Sequence, residues 1–356
     1  MKASSSTINF GLIGAGAISW SAAEAIKKHA NGKVLAISDP NAERAREVAG
    51  HIKIEKVYAD AKELFANPDI NAVYIATPNK FHAPLAKQAL TAGKHVILEK
   101  PFAMNYPEAK QVTDLAAKKK LAFTVGMNQR FNADSQRVRQ LVEKKFFGEI
   151  YHAKAYWRRR TGIPKLGTWF GNKELAGAGS LYDIGVHMLD LCLYVTGNFE
   201  PVSVSGQTYT KFGNRGLGEG GWGNSEKSNI KFDVDDFASA FIRFANGTTV
   251  TLDTSWACHQ ADANRDNVEI FGTEAGASVR PAKLYRYGKG EFSKYEVLDL
   301  DKTPVALAHQ CRFHNFINHL LGKEKLVVTP TQALTVQKIL DAIAKSSKTG
   351  KEVRLA

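Results

Sequence analysis

Residues 7–16, TINFGLIGAG, open as a short apolar strand and close in a glycine turn, and AEAIKKHA (23–30) continues with a helical pattern. The glycines are spaced Gly11-x-x-Gly14-x-Gly16, and Ser19 stands where a dinucleotide-binding fingerprint carries its last glycine. Gly14 permits the tight turn. Gly16 lets the backbone approach a pyrophosphate held by the helix N-terminus. Gly14, Gly16, Ala17 and Ile18 are therefore candidate cofactor contacts. Ser19 is small enough for helix and strand to pack closely, if slightly less so than with glycine.

A glycine cluster alone is weak evidence, and its surroundings strengthen it. The next strand, KVLAISD (33–39), ends in Asp39, 23 residues past Gly16. That is where a carboxylate binds the ribose hydroxyls of NAD and repels the 2′-phosphate of NADP, so NAD is the expected cofactor. Arg44 and Arg46, in the following helix, keep NADP open, and a turn or helix-capping role is the alternative for Asp39. Strands and helices then alternate: AVYIATP, HAPLAKQALTAG, HVILEKP, YPEAKQVTDLAAKKK and LAFTVGMN. Alternation of this kind predicts a parallel, doubly wound sheet with right-handed crossovers. Its ligand rim, beyond the carboxyl ends of the strands, would gather Thr77, Pro78, Asn79, Glu99, Lys100, Pro101 and Asn128. Lys100 ends a buried strand next to a proline, so its ammonium reaches either the cofactor's surroundings or Glu99.

The whole chain bounds these readings. Its 356 residues suffice for two domains, and 44% apolar with 23% charged residues is ordinary for a soluble globular protein. No apolar run approaches a transmembrane length, and MKASSSTINF lacks the apolar core of a secretory signal. Cys192, Cys258 and Cys311 are few and scattered, which fits a reducing cytoplasm without disulfides. The net charge of +13 is dispersed. Lys118–Lys120 close a helix, and Arg158–Arg160 alternate between faces of a strand, so neither makes a nucleic-acid stripe. A positive field instead favours an anionic cofactor or substrate.

A second segment, LYDIGVHMLDL (181–191), sets Asp183, His187 and Asp190 in an apolar run. Spacings of four and three would align them on one face of an α-helix, beside a stripe of Ile184, Met188 and Leu191. By itself the row reads first as a structural histidine–carboxylate pair.

GLIGAGAIS, ATPNKFH, Glu99-Lys100-Pro101, GMNQRF and AGAGSLYDIGVHMLDL occur in that order. With them the chain resembles the glucose–fructose oxidoreductase / inositol dehydrogenase / rhizopine catabolism (Gfo/Idh/MocA) family over essentially its whole length. The resemblance implies a Rossmann domain at 1–127. It also implies an α+β substrate-binding and oligomerisation domain at 128–356 with a large open, mainly antiparallel sheet. It assigns the active-site lysine to Lys100 and the Asp and His of D-x-G-x-H to Asp183 and His187, facing the nicotinamide across a cleft between the domains. Asp190 becomes a structural or helix-orienting group, His82 joins the candidate cofactor contacts, and Trp169, in the segment GIPKLGTWFGNKELAG before this helix, is a candidate for cofactor or substrate contact. The implied activity is NAD(P)-dependent hydride transfer to or from a secondary alcohol of a sugar, glycoside or polyol. His187 suits the base and Lys100 the hydrogen-bond donor to the reacting oxygen. The alternatives are a redox-neutral enzyme with tightly held NAD and a non-catalytic NAD-binding sensor.

Beyond residue 127, IYHAKAYWRRR, DFASAFIRFANGTTVTLDTSWA and NVEIFGTEAGASVR alternate polar and apolar residues, and Asn246-Gly247 marks a hairpin. The open face of this sheet would join a homodimer or homotetramer. Tyr156, Arg158 and Arg160 share one strand face, with Trp157 and Arg159 on the other. With Lys173, the first set are the candidate substrate contacts. The loop 211–229 either closes over the site, meets a partner subunit or is an insertion. FDVDDF (232–237) marks a strand start rather than a metal site, and no metal is expected at His309, His314 and His319. TQALTVQKILDAIAKSSKTGKEVRL reads as an amphipathic helix, a stop at Gly350 and a closing strand.

Overall fold

A computed structural model describes residues 7–221, 231–288, 294–300 and 310–355. The chain divides into two compact units, Met1–Met127 with His309–Leu334, and Asn128–Ala308 with Thr335–Ala356.

The first unit alternates β1 (Ile8–Ile13), α1 (Ala17–Lys27), β2 (Gly32–Ser38), α2 (Ala42–Ile52), β3 (Lys56–Tyr58), α3 (Ala61–Ala66), β4 (Ala72–Ile75), α4 (His82–Thr91), β5 (His95–Leu98), α5 (Tyr106–Lys119) and β6 (Phe123–Val125). The strands pair in parallel, in the order β3-β2-β1-β4-β5-β6. This order reverses between β1 and β4, where such sheets bind dinucleotides. The alternation in sequence foretold most of these elements. The short β3 and α3 carry too few residues for a periodic signal. Phe10, Leu12, Ile37, Tyr74 and Ile97 are fully buried between the helical layers, which is why these strands read as unbroken apolar runs rather than alternating ones.

The second unit begins with α6 (Ala133–Glu143) and β7 (Ile150–Arg159) and continues through α7 (Lys173–Ala176) and α8 (Val186–Thr196). Then follow β8 (Pro201–Tyr209), β9 (Phe237–Phe244), β10 (Thr249–Ser255), β11 (Asn264–Gly272), β12 (Gly276–Val279), β13 (Ala282–Tyr287) and β14 (Tyr295–Asp299). These strands and the last, β15 (Val353–Arg354), form one sheet in the order β14-β13-β12-β11-β7-β10-β9-β8-β15, antiparallel except where β7 meets β10. The Asn246-Gly247 turn joins β9 to β10, with Gly247 at φ +85°. β8, β13 and β14 were not evident from the sequence pattern.

The chain then returns. α9 (Arg312–Leu320) belongs to the first unit, where Phe313, Phe316 and Ile317 enter the core with Phe10 and Ile26. The contiguous second domain expected at 128–356 is thus corrected. The apolar face that marks α9 in the sequence does not reveal which core it serves. α10 (Pro330–Thr349) follows, Gly350 ends it at φ +65°, and β15 (Val353–Arg354) closes the sheet against β8. Among the described residues no helix is long and apolar enough to cross a membrane, and no group of three His, Cys, Asp or Glu could hold a metal ion.

Candidate cofactor rim and catalytic helix

Gly14 has φ +98°, and a Cβ there would lie 2.5 Å from the Ala76 carbonyl oxygen. Only glycine fits such a turn without strain. Gly16 precedes α1 with no side-chain cap, the first turn holds no acid, and a Cβ at Gly16 would meet nothing within 4 Å. The first N–H groups of α1, at Ala17 and Ile18, therefore start a helix whose dipole favours an anion there. Ser19 is fully buried, and its hydroxyl donates to the Gly14 carbonyl at 2.6 Å. The serine thus fastens the turn in a way that glycine would not. Asp39 accepts the Ala15 N–H on Oδ2 and the Asn41 N–H on Oδ1, both at 2.8 Å. Its carboxylate is a fixed charge beside the turn, while the cap of α2 is Asn41. Thr77 Oγ1 is buried without a hydrogen-bond partner among the described residues. An uncapped helix start, open space at Gly16, an oriented carboxylate and an unsatisfied hydroxyl fit a dinucleotide.

The ends of β4 and β5 are tied to each other. The buried His82 ring, at the start of α4, has Nδ1 2.7 Å from the Pro101 carbonyl and Nε2 2.9 Å from the Thr77 carbonyl. A neutral imidazole can donate to only one of them. Burial pulls the His82 pKa below its ordinary value, outweighing the two carbonyls, which pull upward. Asn79, also buried, lies in the short turn before α4, Pro78 precedes it, and Lys100–Pro101 is a cis peptide. Glu99 is buried, accepting the Tyr74 hydroxyl at 2.5 Å and pairing with the Arg312 guanidinium at 2.5 Å. Burial pulls the Arg312 pKa down, but the Glu99 carboxylate and the Tyr74 hydroxyl more than compensate and raise it. Lys100 follows Glu99, half-buried. Asn128 opens a 3₁₀ turn, Asn128–Phe131, at the first position of the second unit.

The helix expected over 181–191 differs in its first turn. Leu181–Gly185 is a π turn, and α8 proper starts at Val186. The wider turn breaks the three- and four-residue register on which the single polar row depended. A period count cannot see this, because the cause lies far off in sequence. The buried Asp235 carboxylate accepts the Gly179 and Leu181 N–H groups at 2.7 and 2.8 Å and the Ser180 hydroxyl at 2.8 Å. Burial raises the Asp235 pKa against those three donors. The three polar residues consequently have different surroundings. Asp183 is half-buried and accepts the Trp256 indole N–H at 2.8 Å. His187 is buried, its ring 6.2 Å from that of Trp157. Asp190 forms a buried two-point ion pair with Arg130, at 2.6 and 2.9 Å, and the guanidinium also lies over Tyr194 and Phe199.

Residues 8–127 match the family model described as "Oxidoreductase family, NAD-binding Rossmann fold" (GFO_IDH_MocA), and residues 135–278 match the GFO/IDH/MocA C-terminal domain. The chain belongs to the GFO/IDH/MocA oxidoreductase family. It is 32% identical to the D-glucoside 3-dehydrogenase of Escherichia coli K12, over 99% of this chain and 98% of that protein. It is also 32% identical to the levoglucosan dehydrogenase of Pseudarthrobacter phenanthrenivorans, over 67% of this chain and 62% of that one. The structure superposes on an NAD-binding protein from Listeria innocua with a TM-score of 0.79 and 26% identity, covering 98% and 97% of the two chains.

Within this GFO/IDH/MocA oxidoreductase, the strand face expected to carry substrate contacts is not the one beside His187. β7 alternates, and Trp157 is the residue near His187 on α8, with Arg159 stacked over its indole at 4.6 Å. Burial lowers the Arg159 pKa, and the Asp183 charge opposes that. Tyr156 and Arg158 are on the opposite face, lining a depression of about 680 Å3 with Gln207, Phe241 and Glu269. Alternation separates the two faces but carries no sign of which one the helix covers. Arg160 is exposed, its guanidinium donating to the Gln260 and Ala261 carbonyls. Trp169 stacks on Phe170 at 3.8 Å, and the exposed Lys173 starts α7, its backbone N–H capped by Asp233 at 2.6 Å.

The acids of FDVDDF serve as caps. Asp233 accepts the first N–H of α7, that of Lys173, Asp235 caps the π turn, and Asp236 accepts the N–H groups of Lys211, Phe212 and Gly213. Residues 222–229 of the 211–229 loop lie outside the described residues, as does His309. His314 bonds Gln310 and the Ala25 carbonyl, and His319 the Glu324 carbonyl. Sequence reasoning missed Arg130, Asp235, Trp256 and Arg312. Their only signal is that charged and aromatic residues of this size must find partners when buried.

Proposed function

We propose that this oxidoreductase is a dehydrogenase of a sugar, glycoside or polyol, acting through Lys100, Asp183 and His187. The observation carrying this reading is the segment 181–187. Its π turn presents a half-buried, oriented carboxylate, and the imidazole four residues on lies beside Trp157. His187 takes the hydroxyl proton, Asp183 orients it or a neighbouring hydroxyl, and Lys100 donates a hydrogen bond to the oxygen as it gains charge. Bound nicotinamide supplies the hydride acceptor. The D-glucoside and levoglucosan dehydrogenases among its relatives support a carbohydrate substrate. The Asp39 carboxylate, locked beside the glycine turn, favours NAD over NADP by charge repulsion of a 2′-phosphate. The stacked aromatic and charged side chains on the outer sheet face support a homodimer or homotetramer through that surface, and three free thiols accord with a cytoplasmic setting.

Reduced-nicotinamide absorbance with NAD or NADP, against a panel of glycosides, sugars and inositols, tests the proposal. The expected result is NADH formation with one compound class, lowered roughly 100-fold or more in Lys100→Ala and in His187→Asn. Turnover retained in both variants would overturn the assignment. Altered sugar without NADH accumulation would replace it with a redox-neutral reaction.

A further inference from the structure

We infer that Trp256 is a positioning residue for Asp183, an inference that rests on the catalytic reading of Asp183 above. Trp256 follows β10 directly and is fully buried. It is fixed on several sides. Its backbone N–H donates to the Asp236 carbonyl at 2.8 Å, and its ring packs with Ile163, Leu166, Ile184 and Val234. A Cβ at Gly179 would come within 2.9 Å of the indole. From this pocket the indole N–H reaches Asp183 Oδ2 at 2.8 Å. Indole is a donor only, and an ionised carboxylate is a stronger acceptor than a protonated one, so the contact favours the carboxylate. Asp183 sits on a π turn, where the helix itself does not set its direction as an α-turn would. The indole supplies that direction. Among the charged groups, Arg159 from β7 responds to the Asp183 charge, and His187 follows Asp183 four residues on, at the start of α8.

Trp256→Phe keeps an aromatic ring in the pocket and removes the donor. The expected result is a fall in kcat on the order of 10- to 100-fold, no change in NAD affinity, and an acid limb of the kcat/KM profile displaced to higher pH. In the Asp183→Asn background the same substitution should cost nothing further. If Asp183→Asn is inactive while Trp256→Phe keeps kcat within twofold and its acid limb unmoved, this inference fails and the catalytic reading stands. If Asp183→Asn turns over like the parent enzyme, the catalytic reading fails, and this one with it. Should Trp256→Phe not fold, 15N-indole NMR of the wild-type protein decides. One of the five tryptophan N–H signals should titrate with the acid limb and stop titrating in Asp183→Asn. Five signals insensitive to that titration would overturn the inference.

Discussion

The glycine turn before α1 and the π turn before α8 both start a helix at a proposed site, yet they are built in opposite ways. The first is held largely by neighbours in sequence: Gly14 makes the turn and Ser19 fastens it five residues later, while Ser38, Asp39 and Ala76 flank it from the ends of adjacent strands. The second is held from afar. Asp235 supplies its cap from 54 residues away, Trp256 aims its carboxylate from 73, and Arg130 anchors Asp190 from 60. A dinucleotide is the same object in every protein that binds it, so its turn can be written as a short local motif. A catalytic constellation must be fixed to a fraction of an ångström, and rigid neighbours from elsewhere in the fold do that best.

The sharpest way to break this contrast is to remove a distant support. Arg130→Met leaves Asp190 as a buried, uncompensated charge and should destabilise the second unit by about 3–5 kcal/mol. Arg130→Met with Asp190→Leu should recover most of that loss. Denaturant unfolding of the two single variants and the double variant measures the coupling, and additive losses would mean that the pair is not a unit.

A smaller effect is expected at the local motif. Gly14→Ala places a Cβ against the Ala76 carbonyl at φ +98° and should cost about 1–3 kcal/mol. Thermal melting with and without NAD should show the loss, together with weaker NAD binding.

The smallest effect is the pH dependence at His82. Burial lowers its pKa, so the fold favours the neutral ring. That contribution is fully present above the ordinary histidine pKa near 6.5. It is lost as pH falls from there through the lowered folded value. Melting temperature should decline over that acid range, and His82→Gln should decline less. Equal slopes would mean that the ring does not couple the Thr77 and Pro101 segments to protonation.

The same contrast explains how far the sequence could be read. Strand, turn and helix alternate on a scale of ten residues, so the first sheet and its glycine turn were legible, with β3 and α3 too short to register. D-x-G-x-H and E-K-P were legible as residues. Their surroundings were not, because Asp235 and Trp256 look like an ordinary strand acid and core aromatic until the chain is folded. The alternation of β7 correctly divided Tyr156 and Arg158 from Trp157 and Arg159. Choosing the face beside His187 required knowing that α8 covers it, which no local period encodes.

The return of α9 also has a consequence for biosynthesis. Glu99, beside Lys100, is paired by Arg312, and the core around Phe10 is completed by Phe316. A ribosome must therefore add roughly 200 further residues after Met127 before the first unit can close, roughly 10–40 s of elongation at about 5–20 residues per second. The nascent Rossmann sheet spends that interval with one flank of its core open. A contiguous domain would meet no such wait.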